Sequence, residues 1–280
     1  MIKIYLVILL GALSLSVACA TESASCQVDP LYSQLTNESK LLMFGELHGT
    51  NEMPAYFAAV VCSLATKNRP LKVGFEYLPD QLPLIRKYIS TGHTDIDRQN
   101  LVSHPFWSGS YQDGRASKAM LGLIDEIRLL KKSGKDIEVF VFDNQSAENR
   151  DQAMAEMVMK ELEEDPNVLH LLITGNVHSQ IKKGVPWNQS LETMGSYIYK
   201  SDSTVVSVIL THTGGDAWMC TPNCSQTTLK VEQGVDQATL YELNPASDSQ
   251  KHSYQLNVGV LTSSYPVGQR QRSEFSKLQE

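Results

Sequence analysis

The sequence has no excess of basic residues and none of the common phosphate-binding motifs. Its 24 Lys and Arg residues are outnumbered by 31 Asp and Glu residues, which gives a formal net charge of −7. A nucleic-acid-binding protein needs basic residues to contact phosphates, so we expect no nucleic acid partner. The GxGxxG and P-loop motifs are absent, and so is the GxSxG nucleophile-elbow motif of the α/β serine hydrolases.

The sequence also lacks any feature that would divide it into several domains. It contains no internal repeat, low-complexity tract or linker rich in Pro, Gly and Ser. Hydrophobic residues make up 42% of the chain and charged residues 20%, which is typical of a globular fold and disfavours disorder or a multi-span membrane protein. We therefore predict a single domain over residues 21–280.

The first twenty residues have the layout of a secretory signal peptide. Lys3 is followed by an apolar run over residues 4–15 and then by small residues that end at Ala20. The run is too short to span a bilayer. Cleavage after Ala20 predicts a secreted or periplasmic protein. The alternative is a lipoprotein, in which Cys19 would carry the lipid and the membrane would become a partner.

Few cysteines remain after this leader, and their number is even: Cys26, Cys62, Cys220 and Cys224. An even set in an oxidising compartment predicts disulfide bonds. Cys220 and Cys224 are close enough in sequence to close a tight loop, which leaves Cys26 to tie the N-terminal segment to Cys62. A zinc site is the alternative, and it is disfavoured because no second pair with matching spacing is present.

Five apolar runs predict a buried, mostly parallel sheet. They lie at residues 41–44, 73–75, 137–142, 169–173 and 205–210. Near-continuous apolar strands are typical of a parallel sheet that is covered on both faces. Amphipathic helices are predicted between them at residues 53–64, 120–130 and 147–164. The predicted fold class is therefore α/β, with a doubly wound sheet and helices on both faces.

Two segments depart from this alternation of strands and helices. Residues 79–115 predict a lid-like helical insertion after the second strand. Residues 216–280 contain short alternating runs, such as 228–232 and 253–261, which predict an antiparallel C-terminal extension of the sheet.

Polar residues follow each of the five predicted strands. They are Glu46 and His48 after the first, Glu76 after the second, Asp143 after the third, Asn176 and His178 after the fourth, and His212 after the fifth. In an open parallel sheet the ligand site forms beyond the carboxyl ends of the strands, so these side chains are predicted to meet at one edge. For any one of them, a helix cap or a structural histidine is the simpler interpretation. The agreement of five strand ends favours a site.

The most specific signals are the spellings GELHG after the first strand and GNVH after the fourth. Each places a glycine at the strand exit and a histidine three residues later, so two imidazoles would face one cleft. Together with Glu46 and Glu76, His48 and His178 could bind a divalent metal. The same residues could act without a metal, with His48 as a general base and a carboxylate orienting its ring.

Arg150 is the third element of the predicted site. It lies on the apolar stripe of the helix predicted over residues 147–164, where a charge needs a partner. Two interpretations are open. Arg150 pairs with an active-site carboxylate or stabilises a developing oxyanion, or it forms a structural ion pair with Glu76 or Asp143. Asp151 is assigned to the helix dipole.

These motifs resemble those of the superfamily that joins the erythromycin esterases, the ChaN-type haem-binding proteins and the Tiki/TraB proteins. The resemblance covers residues 41–179. It rests on five motifs, which are, in chain order, GELHGTNE, the Glu of VGFE, FW, RDQAMAE and GNVHSQ. To the main candidates at these motifs we add four supporting residues: Glu52, Asp143, Asn176 and His212.

The three branches imply different chemistry at the same positions. Resemblance to the erythromycin esterases implies that a histidine activates water for ester hydrolysis, helped by glutamates, an arginine and a second histidine. These positions correspond here to His48, Glu46, Glu76, Arg150 and His178. This chain has one residue fewer between the Glu and the His than those esterases have. The GExH spelling is closer to the ChaN-type proteins, which implies haem binding at the envelope. The paired GxxH motifs are similar to those of the Tiki/TraB branch, which implies metal-dependent peptide hydrolysis.

We therefore expect an exported hydrolase that acts on a small-molecule or peptide substrate. The alternative is an envelope protein that binds haem or a divalent metal in the same cleft without catalysis. Neither the cofactor nor the natural substrate follows from these motifs.

Overall fold

The computed structural model of the chain describes residues 26–66, 69–90, 94–231, 240–244 and 250–268. The predicted signal peptide, including Cys19, lies outside the described residues, as do parts of the predicted C-terminal extension. None of the helices in the described ranges has both the length and the apolar character that a membrane crossing requires.

A mostly parallel sheet forms the centre of the described part of the protein. The strands are β1 (Leu41–Glu46), β2 (Leu71–Phe75), β3 (Ile137–Val141), β4 (Leu169–Gly175), β5 (Val206–Thr211), β6 (Gly215–Cys220), β7 (Cys224–Leu229), β8 (Tyr241–Glu242) and β9 (Tyr254–Asn257). Seven of them form one sheet in the order β3-β2-β4-β1-β5-β9-β8, and β6 and β7 form a separate hairpin. The predicted α/β class is confirmed.

The C-terminal part of the sheet is only partly antiparallel. β9 pairs in parallel with β5, although the sequence pattern predicts an antiparallel extension there. Among the described residues of this region, antiparallel pairing is found between β8 and β9 and within the β6–β7 hairpin. Side-chain alternation identifies a strand, but it carries no information on the direction in which the strand pairs.

Helices cover both faces of the sheet, as predicted. The helices are α1 (Leu31–Glu38), α2 (Glu52–Ala65), α3 (Leu82–Ser90), α4 (Thr94–Ser103), α5 (Pro105–Ser108), α6 (Lys118–Lys132), α7 (Arg150–Glu164) and α8 (Met194–Ser201), with 3₁₀ turns at Pro79–Gln81 and Gly114–Ala116. Leu42 and Phe44 of β1 pack into the core that contains α2 and α6, whereas Leu41 and Met43 pack with α7 and α8. Burial on both faces explains why β1 has a continuous apolar run.

One predicted helix boundary is wrong. α7 begins at Arg150 rather than at residue 147, because the Asn149 side chain accepts a hydrogen bond from the Gln152 backbone N–H at 3.1 Å and caps the helix. Arg150 is therefore the first helical residue, and its side chain lies at the carboxyl edge of the sheet.

The described part of residues 79–115 is helical, as predicted, and it is firmly packed. Trp107 is fully buried, and its ring centroid lies 5.8 Å from that of Tyr77 and 5.2 Å from that of Phe106. The segment ends in the Gly114–Ala116 turn. Tyr88 and Trp107 belong to the core and Phe106 packs against it, whereas Tyr111 is exposed, so the aromatic side chains other than Tyr111 anchor the segment beside the sheet.

The β6–β7 hairpin connects two loops near the carboxyl edge. The Trp218 backbone N–H donates to the Gly49 carbonyl at 2.9 Å, and its indole N–H donates to the Gln112 carbonyl at 3.0 Å. Trp218 is buried. One residue of the hairpin therefore holds the loop that follows β1 and the end of the 79–115 segment.

Both predicted disulfide bonds are present. Cys26 is joined to Cys62, which ties the N-terminal segment to α2, and Cys220 is joined to Cys224 at the end of the β6–β7 hairpin. The predicted pairing is confirmed, and it is consistent with an oxidising compartment.

We expect Cys62→Ser to lower the melting temperature more than Cys224→Ser does. On the chain-entropy account, a bond between residues 36 apart stabilises the fold by about 4 kcal/mol, and a bond between residues 4 apart by about 2 kcal/mol. Calorimetry under non-reducing conditions measures the difference. Cys26→Ser is the matched control, because it removes the same bond as Cys62→Ser. Equal losses for Cys62→Ser and Cys224→Ser would contradict the prediction.

Candidate active site

The carboxyl ends of β1 to β4 border an open cavity of about 420 Å³. Its lining consists of polar and charged side chains: His48, Glu76, Asp113, Arg115, Gln145, Arg150 and His178. Glu46 and Asp143 are buried and form hydrogen bonds with members of this lining. The structure therefore brings together the residues that follow the first four predicted strands, with Asn176 as the exception.

His48 and Glu46 form a hydrogen-bonded pair at the end of β1. Nδ1 of His48 lies 2.6 Å from Oε1 of Glu46, so this nitrogen donates to the carboxylate when the ring is neutral. The Nε2 lone pair then remains for another partner. Glu46 is 2% exposed, and its Oε2 atom has no hydrogen-bond partner among the described residues. This buried carboxylate therefore acts mainly on His48.

The Nε2 atom of His48 faces the cavity. It lies 3.6 Å from Oε2 of Glu76, and the His48 side chain is 27% exposed. Burial lowers the pKa of His48, but the hydrogen bond to Glu46 and the charges of Glu46 and Glu76 raise it further than burial lowers it. The pKa of His48 is thus raised above its usual value of 6.5.

Glu76 is a buried carboxylate with four donors. Oε2 accepts from the Thr174 hydroxyl at 2.7 Å and from the Gly175 N–H at 2.9 Å, while Oε1 accepts from Arg150 at 2.7 Å and from Arg115 at 3.3 Å. Burial raises the pKa of Glu76, but the charges of both histidines and both arginines lower it more strongly. Glu76 therefore stays ionised well below the usual carboxyl range.

Two arginines and two carboxylates form a closed ring of ion pairs, which we call the arginine–carboxylate ring: Glu76, Arg115, Asp143 and Arg150. Arg150 donates to Glu76 Oε1 and to Asp143 Oδ1, both at 2.7 Å. Arg115 donates to the same two carboxylates, at 3.3 Å to Glu76 Oε1 and at 2.9 Å to Asp143 Oδ2. Arg150 therefore pairs with both predicted carboxylates, a contact that both interpretations of this residue allow.

His178 is held in one tautomer. Nη1 of Arg150 lies 2.9 Å from His178 Nε2, and because a guanidinium only donates, Nε2 must accept. Nδ1 then carries the hydrogen and donates to Asp151 Oδ1 at 2.7 Å. The same oxygen accepts from the Met194 N–H at 2.7 Å. Both ring nitrogens of His178 are engaged, and Asp151 orients this ring in addition to its predicted place in the first turn of α7.

The sequence analysis missed Asp113 and Arg115. The Asp113 carboxylate accepts from the Arg115 Nη2 and Nε atoms at 2.7 and 3.1 Å, and both residues line the cavity. They lie in the 79–115 segment, where no strand end indicates a site. The Asp-Gly dipeptide at 113–114 signals a turn. It gives no sign that Arg115 contacts Glu76 and Asp143, which follow β2 and β3.

Three predicted supporting residues lie outside the cavity. Asn176 is exposed, and its backbone N–H donates to the Glu46 carbonyl at 2.9 Å. Glu52 accepts from the Thr262 N–H at 2.8 Å, and His212 Nδ1 accepts from the Gly214 N–H at 3.0 Å. His212 caps its own turn, whereas Asn176 and Glu52 join backbone of distant segments, so a place after a strand or in a motif is not sufficient to put a side chain in the site.

The four residues proposed as metal ligands do not form an open coordination site. Both oxygens of Glu76 accept from protein donors, and His178 Nε2 accepts from Arg150. Two guanidinium groups at the cavity also disfavour a divalent cation. Within the described ranges, no group of three or more His, Cys, Asp or Glu residues has the geometry to hold a metal.

The cavity is equally unsuited to haem. A porphyrin is held by largely apolar walls together with an axial ligand. The lining here is made of polar and charged side chains, and both ring nitrogens of His178 are already engaged. The donor set therefore fits chemistry that uses imidazole and carboxylate groups directly.

No protein-family model and no curated protein sequence matches the chain. Among solved structures, a His-to-Asn mutant of the erythromycin esterase EreC in its open conformation matches with a TM-score of 0.60 and 11% identity, over 86% of this chain and 95% of that chain. A succinoglycan biosynthesis protein matches with a TM-score of 0.62 and 10% identity, over 87% and 94% of the two chains. A Campylobacter jejuni ChaN with cofacial haem binding matches with a TM-score of only 0.36 and 12% identity, over 64% and 85% of the two chains.

These likenesses show the fold. The chain has an α/β fold similar to that of the erythromycin esterase EreC, which is the fold that the resemblance of the motifs implies. The ChaN match is too weak to support an inference about haem.

We expect Glu46→Gln to lower the pKa of His48. The change removes the negative charge that lies 2.6 Å from Nδ1, while burial of the ring remains and continues to lower the pKa. A ¹H–¹⁵N NMR titration of the histidine rings measures this shift. Glu52→Gln is the control, because Glu52 lies a few residues further along the chain and contacts Thr262 instead of His48. The same His48 pKa in both variants would contradict the prediction.

Proposed function

We propose that the protein is an exported hydrolase in which His48 activates water for attack on the carbonyl of an ester or peptide-like substrate. The observation that carries this proposal is the Glu46–His48 pair, whose free nitrogen faces an open polar cavity. A carboxylate that orients an imidazole and increases its basicity is the standard arrangement for a general base.

The proton taken from water has a defined destination. His48 Nε2 accepts it, and the resulting imidazolium is stabilised by Glu46 through Nδ1 and by the ionised Glu76 at 3.6 Å from Nε2. His48 later returns the proton to the leaving group. A base with a raised pKa is a stronger proton acceptor, and it is active above that pKa. The acidic limb of the rate profile should therefore lie above pH 6.5, the usual pKa of histidine.

Arg150 supplies donors for the developing oxyanion. A guanidinium has five N–H groups, and three of those of Arg150 donate to Asp143, His178 and Glu76. Two remain on a side chain that lines the cavity and is 29% exposed. His178 and the arginine–carboxylate ring hold this guanidinium in place, so its free donors are oriented before the substrate binds.

The cavity is open, so it admits a carbonyl that belongs either to a small molecule or to an extended peptide. The likeness to an erythromycin esterase supports the ester class first. Export is supported by the signal-like residues 1–20 and by the two disulfide bonds, which need an oxidising compartment to persist.

We expect His48→Ala to reduce hydrolysis at least about a hundredfold, because general-base catalysis typically contributes this much. The assay is the initial rate on a panel of esters, lactones and peptides, with and without a chelator. His212→Ala is the matched control, since His212 also follows a strand but lies outside the cavity. A parent protein that hydrolyses no member of the panel, or a His48→Ala protein as active as the parent, would refute the proposal.

We expect Gly175→Ala to lower kcat about tenfold or more, since small displacements of reacting groups are costly. A Cβ atom at this position would lie 3.2 Å from His48 Nε2 and 3.7 Å from Glu76 Oε2, in the space where the water must bind. Kinetics on the best substrate from the panel measure the loss. Gly122→Ala is the control, because an added Cβ there has no neighbour within 4 Å. Equal rates for the two variants would show that the space near Gly175 is not used.

A further inference from the structure

We infer that Arg115 is a positioning residue of the active site and that the 79–115 segment thereby completes the catalytic machinery instead of only covering it. This inference rests on the proposed function. It assigns a role to a residue that no strand end or motif indicates.

The first support is the way in which Arg115 reaches the site. Gly114 packs directly against the loop that carries His48, since an added Cβ at Gly114 would lie 2.0 Å from the Gly49 nitrogen and 2.4 Å from the His48 carbonyl carbon. Only glycine allows this approach of two backbones. The contact between Gly114 and the loop after β1 therefore fixes the position of the next residue, Arg115, next to this loop.

The second support is the set of partners of Arg115. Its Nη1 atom donates to Asp143 Oδ2 at 2.9 Å and to Glu76 Oε1 at 3.3 Å. Its Nε and Nη2 atoms donate to Asp113, whose side chain is 25% exposed. The Arg115 side chain itself is only 12% exposed. Asp113 thus orients a nearly buried guanidinium whose inner end joins the two carboxylates.

The third support is the charge balance. Glu76 and Asp143 are both buried, and Arg150 alone would leave one of these two negative charges unneutralised. A buried charge without a partner is strongly unfavourable, so the two carboxylates would move apart. Arg115 provides the second positive charge, and its third carboxylate partner, Asp113, is partly exposed to solvent. Arg115 therefore holds Asp143 and Glu76 together, with Glu76 opposite His48 Nε2.

The same placement gives Arg115 a measurable effect on His48 itself. The charge of Arg115 lowers the pKa of His48, against the raising effects of Glu46 and Glu76. Replacing the guanidinium with a neutral side chain should therefore raise that pKa further. A residue that only stabilised the fold would leave it unchanged.

The test compares Arg115→Lys and Arg115→Met with the same changes at Arg128, a buried arginine that donates to the Tyr88 carbonyl away from the cavity. Arg115→Lys keeps the charge but loses the fork that spans two carboxylates. We expect its kcat to fall about tenfold or more with a smaller change in KM. Arg128→Lys should keep the parental kcat even if its melting temperature falls as much as that of Arg115→Lys.

Arg115→Met should move the acidic limb of the rate profile to higher pH and raise the His48 pKa in an NMR titration, whereas Arg128→Met should change neither. A parental kcat in Arg115→Lys, or an unchanged His48 pKa in Arg115→Met, would overturn the inference. The two failures are separable. A parent that hydrolyses nothing refutes the proposed function, while the NMR titration still decides whether Arg115 acts on His48. If Arg115→Met does not fold, the kcat of Arg115→Lys decides.

Discussion

The site depends on the mutual neutralisation of two buried carboxylates and two guanidinium groups. Glu76 and Asp143 are 4% and 0% exposed, and burying a carboxylate without a close positive charge is strongly unfavourable. Arg115 and Arg150 each contact both carboxylates, so the four side chains form a closed ring. The members come from the ends of β2 and β3, from the 79–115 segment and from the first turn of α7. Satisfying their charges therefore fixes the relative positions of four separate parts of the chain.

This ring leaves Nε2 of His48 facing the cavity. The pair proposed to react, Glu46 and His48, comes entirely from β1 and the loop that follows, and it approaches the ring where His48 Nε2 lies 3.6 Å from Glu76 Oε2. His178, in contrast, has no ring nitrogen that is free to bind another group. Both nitrogens of His178 are occupied, by Arg150 and by Asp151. Two histidines that lie in similar motifs thus have different environments.

The region after β5 supports this site from outside, since none of its described residues lines the cavity. Trp218 of the β6–β7 hairpin holds the Gly49 loop and Gln112, which precedes the turn that carries Arg115. Ser264 also donates its backbone N–H to Gly49 at 2.8 Å. The loop that presents His48 is therefore held by two separate segments, which would preorganise the general base that we propose.

Much of this arrangement could be read from the sequence, because it is encoded locally. Apolar runs predict the strands, glycines at their exits predict sharp turns, and the polar residues at 46, 48, 76, 143 and 178 meet because parallel strands end at one edge. The even cysteine count and spacing predict both disulfide bonds. The tertiary structure alone decided the rest. It placed Arg115 in the ring and Asp151 against His178, left His212 on its own turn and Glu52 on the distant Thr262, and set β9 parallel to β5. Those outcomes depend on distances between segments far apart in the chain, and periodicity and turn signals describe only how each segment behaves by itself.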